Sequence, residues 1–212
     1  MNKIDYSLYL VTDSELTKGR DLLKVVEDAV IGGVTIVQLR EKDISTMQFY
    51  KLALQLKQML SKYGVPLIIN DRLDIALAVD ADGIHVGQHD LPVEIIRKHM
   101  PKGKIIGLSV ENVEQTEIAN HLDVDYVAAS PIFNTSTKTD TAPELRIEGL
   151  KEIADVSKHP IVAIGGMNMS NAGSIIKAGA SGIAVVSAIV SADSPQLAAK
   201  QLLETVNLNK LT

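Results

Sequence analysis

Several short stretches of this 212-residue chain hold side chains able to handle phosphate. "QLREKD" carries Gln38, Arg40 and Lys42, "NDR" carries Asn70, Asp71 and Arg72, and "GQHD" carries Gln88, His89 and Asp90. "GLSV" brings Ser109, and "SPIFNTSTKTD" brings Thr135, Ser136, Thr137 and Lys138. "AIGG" ends in Gly165-Gly166, and "VVSA" holds Val186-Ser187. Arg40, Lys42 and Lys138 can neutralise phosphate oxygens, arginine in bidentate fashion. Asp71 and Asp90 offer hard oxygen ligands for Mg²⁺, which takes one or two protein carboxylates and completes its shell with water and substrate phosphate. Turns such as Gly165-Gly166 and Val186-Ser187 suit a monophosphate held by backbone N–H groups, where glycine permits close approach. The set predicts two anionic subsites, one metal-assisted and one built on backbone amides.

Each stretch also has a plainer reading. "REKD" alone is a solvated charged face, "GG" a tight turn, and Lys138 an exposed lysine. Asp71 serves equally well as the N-cap of a helix through "RLDIALAV". His99, His121 and His159 end helices, where a cation meets the dipole favourably. His85 lies inside a strand and reads as a core or pocket-wall residue, and no H-x-x-x-H pair occurs. What favours chemistry is convergence, so the elements that would position these residues decide the matter.

Eight short apolar runs punctuate the chain: "LYLVTD" (8–13), "VTIVQLRE" (34–41), "PLIIND" (66–71), "GIHVGQ" (83–88), "KIIGLSV" (104–110), "DYVAAS" (125–130), "PIVAIGG" (160–166) and "GIAVVSA" (182–188). Each is too short for a buried helix and is bounded by Gly, Pro or Asp, which predicts strands. Helical spacing separates them. "DLLKVVEDAVIGG" puts Leu22, Val25, Val26 and Ala29 on one stripe and stops at Gly32-Gly33. "TMQFYKLALQLKQMLSKYG" aligns Leu52, Leu56 and Met59, and "SPQLAAKQLLETV" begins with Ser194 as N-cap and Pro195 at the first helical position. Strand–helix alternation means a parallel sheet. Eight repeats in residues 1–212 fit a compact single-domain (β/α)8 barrel. An open doubly wound sheet is the rival, but no G-x-G-x-x-G follows the first strand. In the barrel, the residues just past each strand share one rim, which is where the phosphate-handling stretches fall.

Composition agrees. Apolar residues make up 46%, enough for a sizeable core, and with only two Phe and no Trp that core must be Ile, Val, Leu and Ala. A net charge of −5 argues against a sequence-independent nucleic-acid binder. With no cysteine, thiolate metal sites and cysteine nucleophiles are excluded. "MNKIDYSLYLVTD" carries charge inside any would-be leader, and no apolar run approaches a membrane span, so a cytoplasmic protein without membrane partners is expected.

"VQLREKD", "IINDRLDIALAVDADGIHVGQHDLP", "SPIFNTSTKTD", "PIVAIGGM" and "GIAVVSAI" occur together and in order. Along nearly its full length the chain resembles the thiamine-phosphate synthase family. The resemblance implies a transferase that joins a hydroxymethylpyrimidine diphosphate to a thiazole phosphate, or its carboxylated form, releasing pyrophosphate through a pyrimidine cation. It implies pyrimidine-diphosphate contacts at Gln38, Leu39, Arg40, Glu41, Lys42, Asn70, Ser109 and Lys138, with Arg40, Lys42, Ser109 and Lys138 catalytic. It implies thiazole-phosphate contacts at Thr135, Ser136, Thr137, Gly166, Val186 and Ser187, and one Mg²⁺ per subunit on Asp71 and Asp90. Partners are then small phosphorylated substrates, in a monomer or homo-oligomer. The strand-6 loop would close over both substrates. Ser130 and Asn134 stand where many members carry glycine and proline.

Two rivals remain. A thiazole tautomerase shares the barrel and phosphate turns but uses a histidine soon after strand 5, where "LSVEN" has Glu111, and lacks the full basic and metal set. A silent phosphate-binding barrel would need no acidic pair.

Overall fold

The computed structural model describes residues 4–134 and 143–210. The eight predicted runs are all strands: β1 (Leu8–Val11), β2 (Ile36–Leu39), β3 (Leu67–Asn70), β4 (Gly83–Val86), β5 (Ile105–Val110), β6 (Tyr126–Ala129), β7 (Ile161–Ile164) and β8 (Gly182–Val185). They pair in parallel in chain order, and β8 pairs back to β1 to close the barrel. Nearly every strand residue is buried, as expected of strands covered on both faces.

Period-2 alternation sorts the strand residues into two layers. Leu8, Leu10, Val37, Leu39, Leu67, Ile69, Ile84, Ile106 and Leu108 face the helices and join one core cluster. Tyr9, Val11, Ile36, Ile68, Ile105, Tyr126, Val162 and Ala184 fill the barrel interior. Gly107 of β5 leaves room inside, because a Cβ there would fall within the phenolic edge of Tyr126.

The three helices whose spacing the sequence spells out are all present, one with a shift of face. α1 (Leu22–Ile31) buries Leu22, Val25, Val26 and Ala29, and Gly33 follows it at φ +111°. α2 (Thr46–Ser61) starts at a capping box between Ser45 and Gln48. Its fully buried stripe is Phe49, Ala53, Leu56 and Leu60, with Leu52 and Met59 flanking it half-buried. The predicted stripe through Leu52 and Met59 is therefore rotated toward Phe49, Ala53 and Leu60. α3 (Leu73–Ala78), α4 (Val93–His99), α5 (Val113–Ala119), α6 (Arg146–Val156), α7 (Ala172–Lys177) and the one-turn α8 (Ser187–Val190) follow. α9 (Pro195–Lys210) closes the outer layer; the Ser194 hydroxyl accepts from Leu197 N at 3.3 Å. Among the described residues, no helix is long and apolar enough to cross a membrane.

Candidate active site

A cleft of about 690 Å³ opens at the C-terminal mouth of the barrel, and residues from the ends of most strands line it. Gln38, Arg40, Lys42, Asn70, Asp71, Asp90, Ser109, Gly166, Val186 and Ser187 all line it, although they come from widely separated parts of the sequence. Leu39 does not: its side chain is fully buried in the helix-facing layer, one residue out of phase with Gln38. Glu41 also turns away, its carboxylate accepting from the Thr12 hydroxyl at 2.9 Å and from Ser14 N at 3.2 Å. Thr135, Ser136, Thr137 and Lys138 lie outside the described residues.

The basic side is built from the β2 end. The buried Thr12 just past β1 accepts from Arg40 N at 3.0 Å and so fixes where the chain leaves the sheet. The Arg40 guanidinium has no carboxylate partner among the described residues and faces the cleft. Lys42 Nζ instead donates to Asp71 Oδ2 at 2.5 Å.

Asp71 does not cap α3. The N-cap position belongs to Arg72, and no side chain caps that helix. Asp71 sits at φ +60°, its N–H donating to His85 O at 2.9 Å. A non-glycine residue in the left-handed region points to a constrained local geometry. Here that geometry turns the carboxylate toward the neighbouring β4 loop. There Asp90 Oδ2 accepts from Gly87 N at 2.7 Å. Burial chiefly raises the Asp90 carboxyl above its ordinary pKa, with the adjacent Asp71 carboxylate adding to the effect and the Gly87 amide opposing it. Two carboxylates this close favour a cation between them. The pair of hard oxygens fits Mg²⁺, which needs no third protein carboxylate, and among the described residues no group of three or more acidic or histidine ligands exists.

The opposite wall is the Gly165-Gly166 turn, at φ +106° and +67°. It packs under the strand-6 loop: Ile132 N donates to Ile164 O at 2.9 Å and Phe133 N to Gly165 O at 3.1 Å. The Ser130–Pro131 peptide in this loop is cis. The far end is tied as well, Leu145 N donating to Pro131 O at 2.9 Å and Asn134 N to Glu144 Oε1 at 3.1 Å.

The floor holds residues that motif reading passed over. Tyr9 and Tyr126 reach across the barrel, and their hydroxyls meet at 2.8 Å. Gln38 Nε2 donates to Tyr9 Oη at 2.8 Å. His85 Nδ1 lies 2.9 Å from Tyr126 Oη, and His85 Nε2 lies 3.0 Å from Ser109 Oγ. Strand parity carried the signal, since Leu8 and Leu10 must face out and therefore Tyr9 faces in. Burial raises the pKa of both phenols well above the ordinary value, so both keep their protons at neutral pH.

A family profile described as thiamine monophosphate synthase matches residues 8–189. A thiamine-phosphate synthase of Clostridium botulinum (strain Loch Maree / Type A3) is 50% identical over 201 residues, covering 95% of this chain and 98% of that protein. One from Clostridium acetobutylicum is 47% identical over 209 residues, covering 99% of each. The solved structure of a thiamine phosphate pyrophosphorylase from Pyrococcus furiosus superposes with a TM-score of 0.90 at 35% identity, covering 98% of each chain. Together with the closed barrel, these likenesses show that the chain belongs to the thiamine monophosphate synthase family.

Proposed function

We propose that this protein condenses a hydroxymethylpyrimidine diphosphate with a thiazole phosphate, or its carboxylated form, to give thiamine phosphate and pyrophosphate, the carboxylated form also losing its carboxylate as carbon dioxide. The observation that carries the reading is the pairing, on one rim, of an Arg40 guanidinium that has no carboxylate partner among the described residues with the adjacent carboxylates Asp71 and Asp90. A diphosphate with its counter-cation needs both. Asp71 and Asp90 would hold Mg²⁺, which when bound would neutralise charge developing on the departing pyrophosphate.

The bond that breaks joins the pyrimidine methylene to the diphosphate oxygen, and the bond that forms joins that carbon to the thiazole nitrogen. Electron donation by the aminopyrimidine spreads the positive charge, so no protein nucleophile or strong base is required. Arg40 and Lys42 hold the leaving group's oxygens, with Lys138 in the same role by family resemblance. Lys42 moves from Asp71 to phosphate as substrate arrives. Gln38, Asn70 and Ser109 fix the ring, while Gly166, Val186 and Ser187 with Thr135, Ser136 and Thr137 seat the thiazole phosphate. The cleft orients the two reacting atoms and limits the water that reaches the cation.

The test uses purified protein with both substrates, with and without Mg²⁺, following pyrophosphate and thiamine phosphate. Equimolar, Mg²⁺-dependent formation of both is expected. Binding without pyrophosphate release would overturn the reading.

A further inference from the structure

The five polar groups on the cleft floor form one continuous chain: Gln38, Tyr9, Tyr126, His85 and Ser109, with successive separations of 2.8, 2.8, 2.9 and 3.0 Å. Each phenol has a single hydrogen and two neighbours, so each must accept on one side and donate on the other. Gln38 Nε2 can only donate, which commits Tyr9 to accept there and to give its own hydrogen to Tyr126. Tyr126 is then committed to donate to His85 Nδ1. His85 Nδ1 must be bare, its ring hydrogen must sit on Nε2, and Nε2–H must donate to Ser109 Oγ. The Ser109 hydrogen is left to point into the cleft. At the other end, the Gln38 amide oxygen takes no partner among the described residues, yet it is not sealed from the cleft that Gln38 lines.

We propose that Tyr9, Tyr126 and His85 are positioning residues that lock the hydrogen-bond sense of the cleft floor, presenting an acceptor at Gln38 and a donor at Ser109 as a coupled pair. One end cannot reverse without the other. The matching ligand is a flat heteroaromatic ring with an N–H donor on one edge and a ring-nitrogen lone pair on another. An aminopyrimidine has both, and identifying the ligand this way rests on the function proposed above. The mechanism of coupling is structural economy of hydrogen: five groups share four links, and every link runs the same way. Gly107 enables it, since any larger residue there would displace the Tyr126 ring.

The coupling gives a readout independent of turnover. Protein carrying ¹⁵N-histidine is observed without ligand by two-bond ¹H–¹⁵N correlation at about pH 8.5, where an ordinary imidazole is neutral. His85→Gln identifies the resonance. Wild-type protein should show His85 with its hydrogen on Nε2. In Gln38→Glu the carboxylate can only accept, so the whole chain must reverse and His85 should carry its hydrogen on Nδ1. Adding Tyr126→Phe to Gln38→Glu should cancel that reversal. In turnover assays Tyr126→Phe should raise KM for the pyrimidine diphosphate by roughly tenfold, the value of about one hydrogen bond, and KM for the thiazole phosphate by less than about twofold.

A wild-type His85 with hydrogen on Nδ1, or a Gln38→Glu tautomer unchanged from wild type, overturns the proposal. So does an equal KM effect on both substrates. The wild-type spectrum stands alone if Gln38→Glu fails to fold. Should His85 follow Gln38 while no thiamine phosphate forms, the coupled chain is upheld and the functional reading falls instead.

Discussion

Lys42 Nζ rests 2.5 Å from Asp71 Oδ2 at the rim of the cleft, an ion pair joining the loops after β2 and β3. The lysine side chain is 52% exposed, so the pair contributes little to stability. Its position, next to Arg40 and a second carboxylate, makes it a counter-ion in waiting. Lys42→Met should leave thermal stability within about 1 kcal/mol of the parent and cut turnover by roughly 10–100-fold through loss of leaving-group stabilisation. Thermal denaturation and steady-state pyrophosphate release would separate the two effects. A turnover near the parent's would remove Lys42 from the reaction.

Asp71 combines a charge with an unusual backbone, so the substitution must keep one while removing the other. Asparagine tolerates φ +60° and is neutral. Asp71→Asn should therefore fold normally and raise the Mg²⁺ concentration needed for half-maximal activity by about tenfold or more. Asp90→Asn should act the same way. A Mg²⁺ titration of turnover checks both, and unchanged titration curves would reassign the metal.

Gly165 and Gly166 are required for backbone reasons and for contact. A Cβ on either would come within 2.9 Å of the strand-6 loop, at Pro131 and Phe133 respectively. Gly166→Ala should cost roughly 1–3 kcal/mol of stability and raise KM for the thiazole phosphate more than for the pyrimidine diphosphate. Equal KM values to wild type, measured on protein that is destabilised as expected, would separate the turn from phosphate binding.

Gly107→Ala should be destabilising by about 1–3 kcal/mol, lowering Tm by several degrees, because the added methyl meets the Tyr126 ring. Differential scanning calorimetry reads this directly. A variant as stable as the parent would mean that the ring has room to move.

The other end of the barrel provides a control. Asp125 Oδ2 accepts from Ile106 N at 2.8 Å and from Arg97 at 3.0 Å, ahead of β6 and remote from the cleft. Asp125→Ala should cost about 1–2 kcal/mol, chiefly the lost backbone bond, with kcat unchanged at a temperature where the protein is folded. A fall in kcat there would show that the two ends of the barrel are not independent.

Much of this was legible in sequence because it depends on local rules. Strand runs such as "PLIIND" and "GIAVVSA" are short, branched and bounded by breakers, and each became a strand. Ser194-Pro195 marked the start of α9 in the same way. Arg40, Asp71 and Asp90 were identifiable because barrel geometry sends strand-end residues to one rim. Motif segments were a blunter guide within themselves. "QLREK" includes Leu39 and Glu41, whose side chains leave the cleft, one by strand parity and the other through bonds to Thr12 and Ser14.

The sequence by itself determined the alternation of strands and helices, hence the barrel, and the polar residues at each strand end. Tertiary structure alone decided which side chains touch. Tyr9 and Tyr126 are separated by 117 positions and meet only because the barrel closes. Asp71 became a partner for Lys42 rather than a helix cap because its backbone turned into the left-handed region. Local propensities fix hydrogen bonds a few residues apart, whereas contacts across a closed sheet depend on register and curvature set by all eight strands at once.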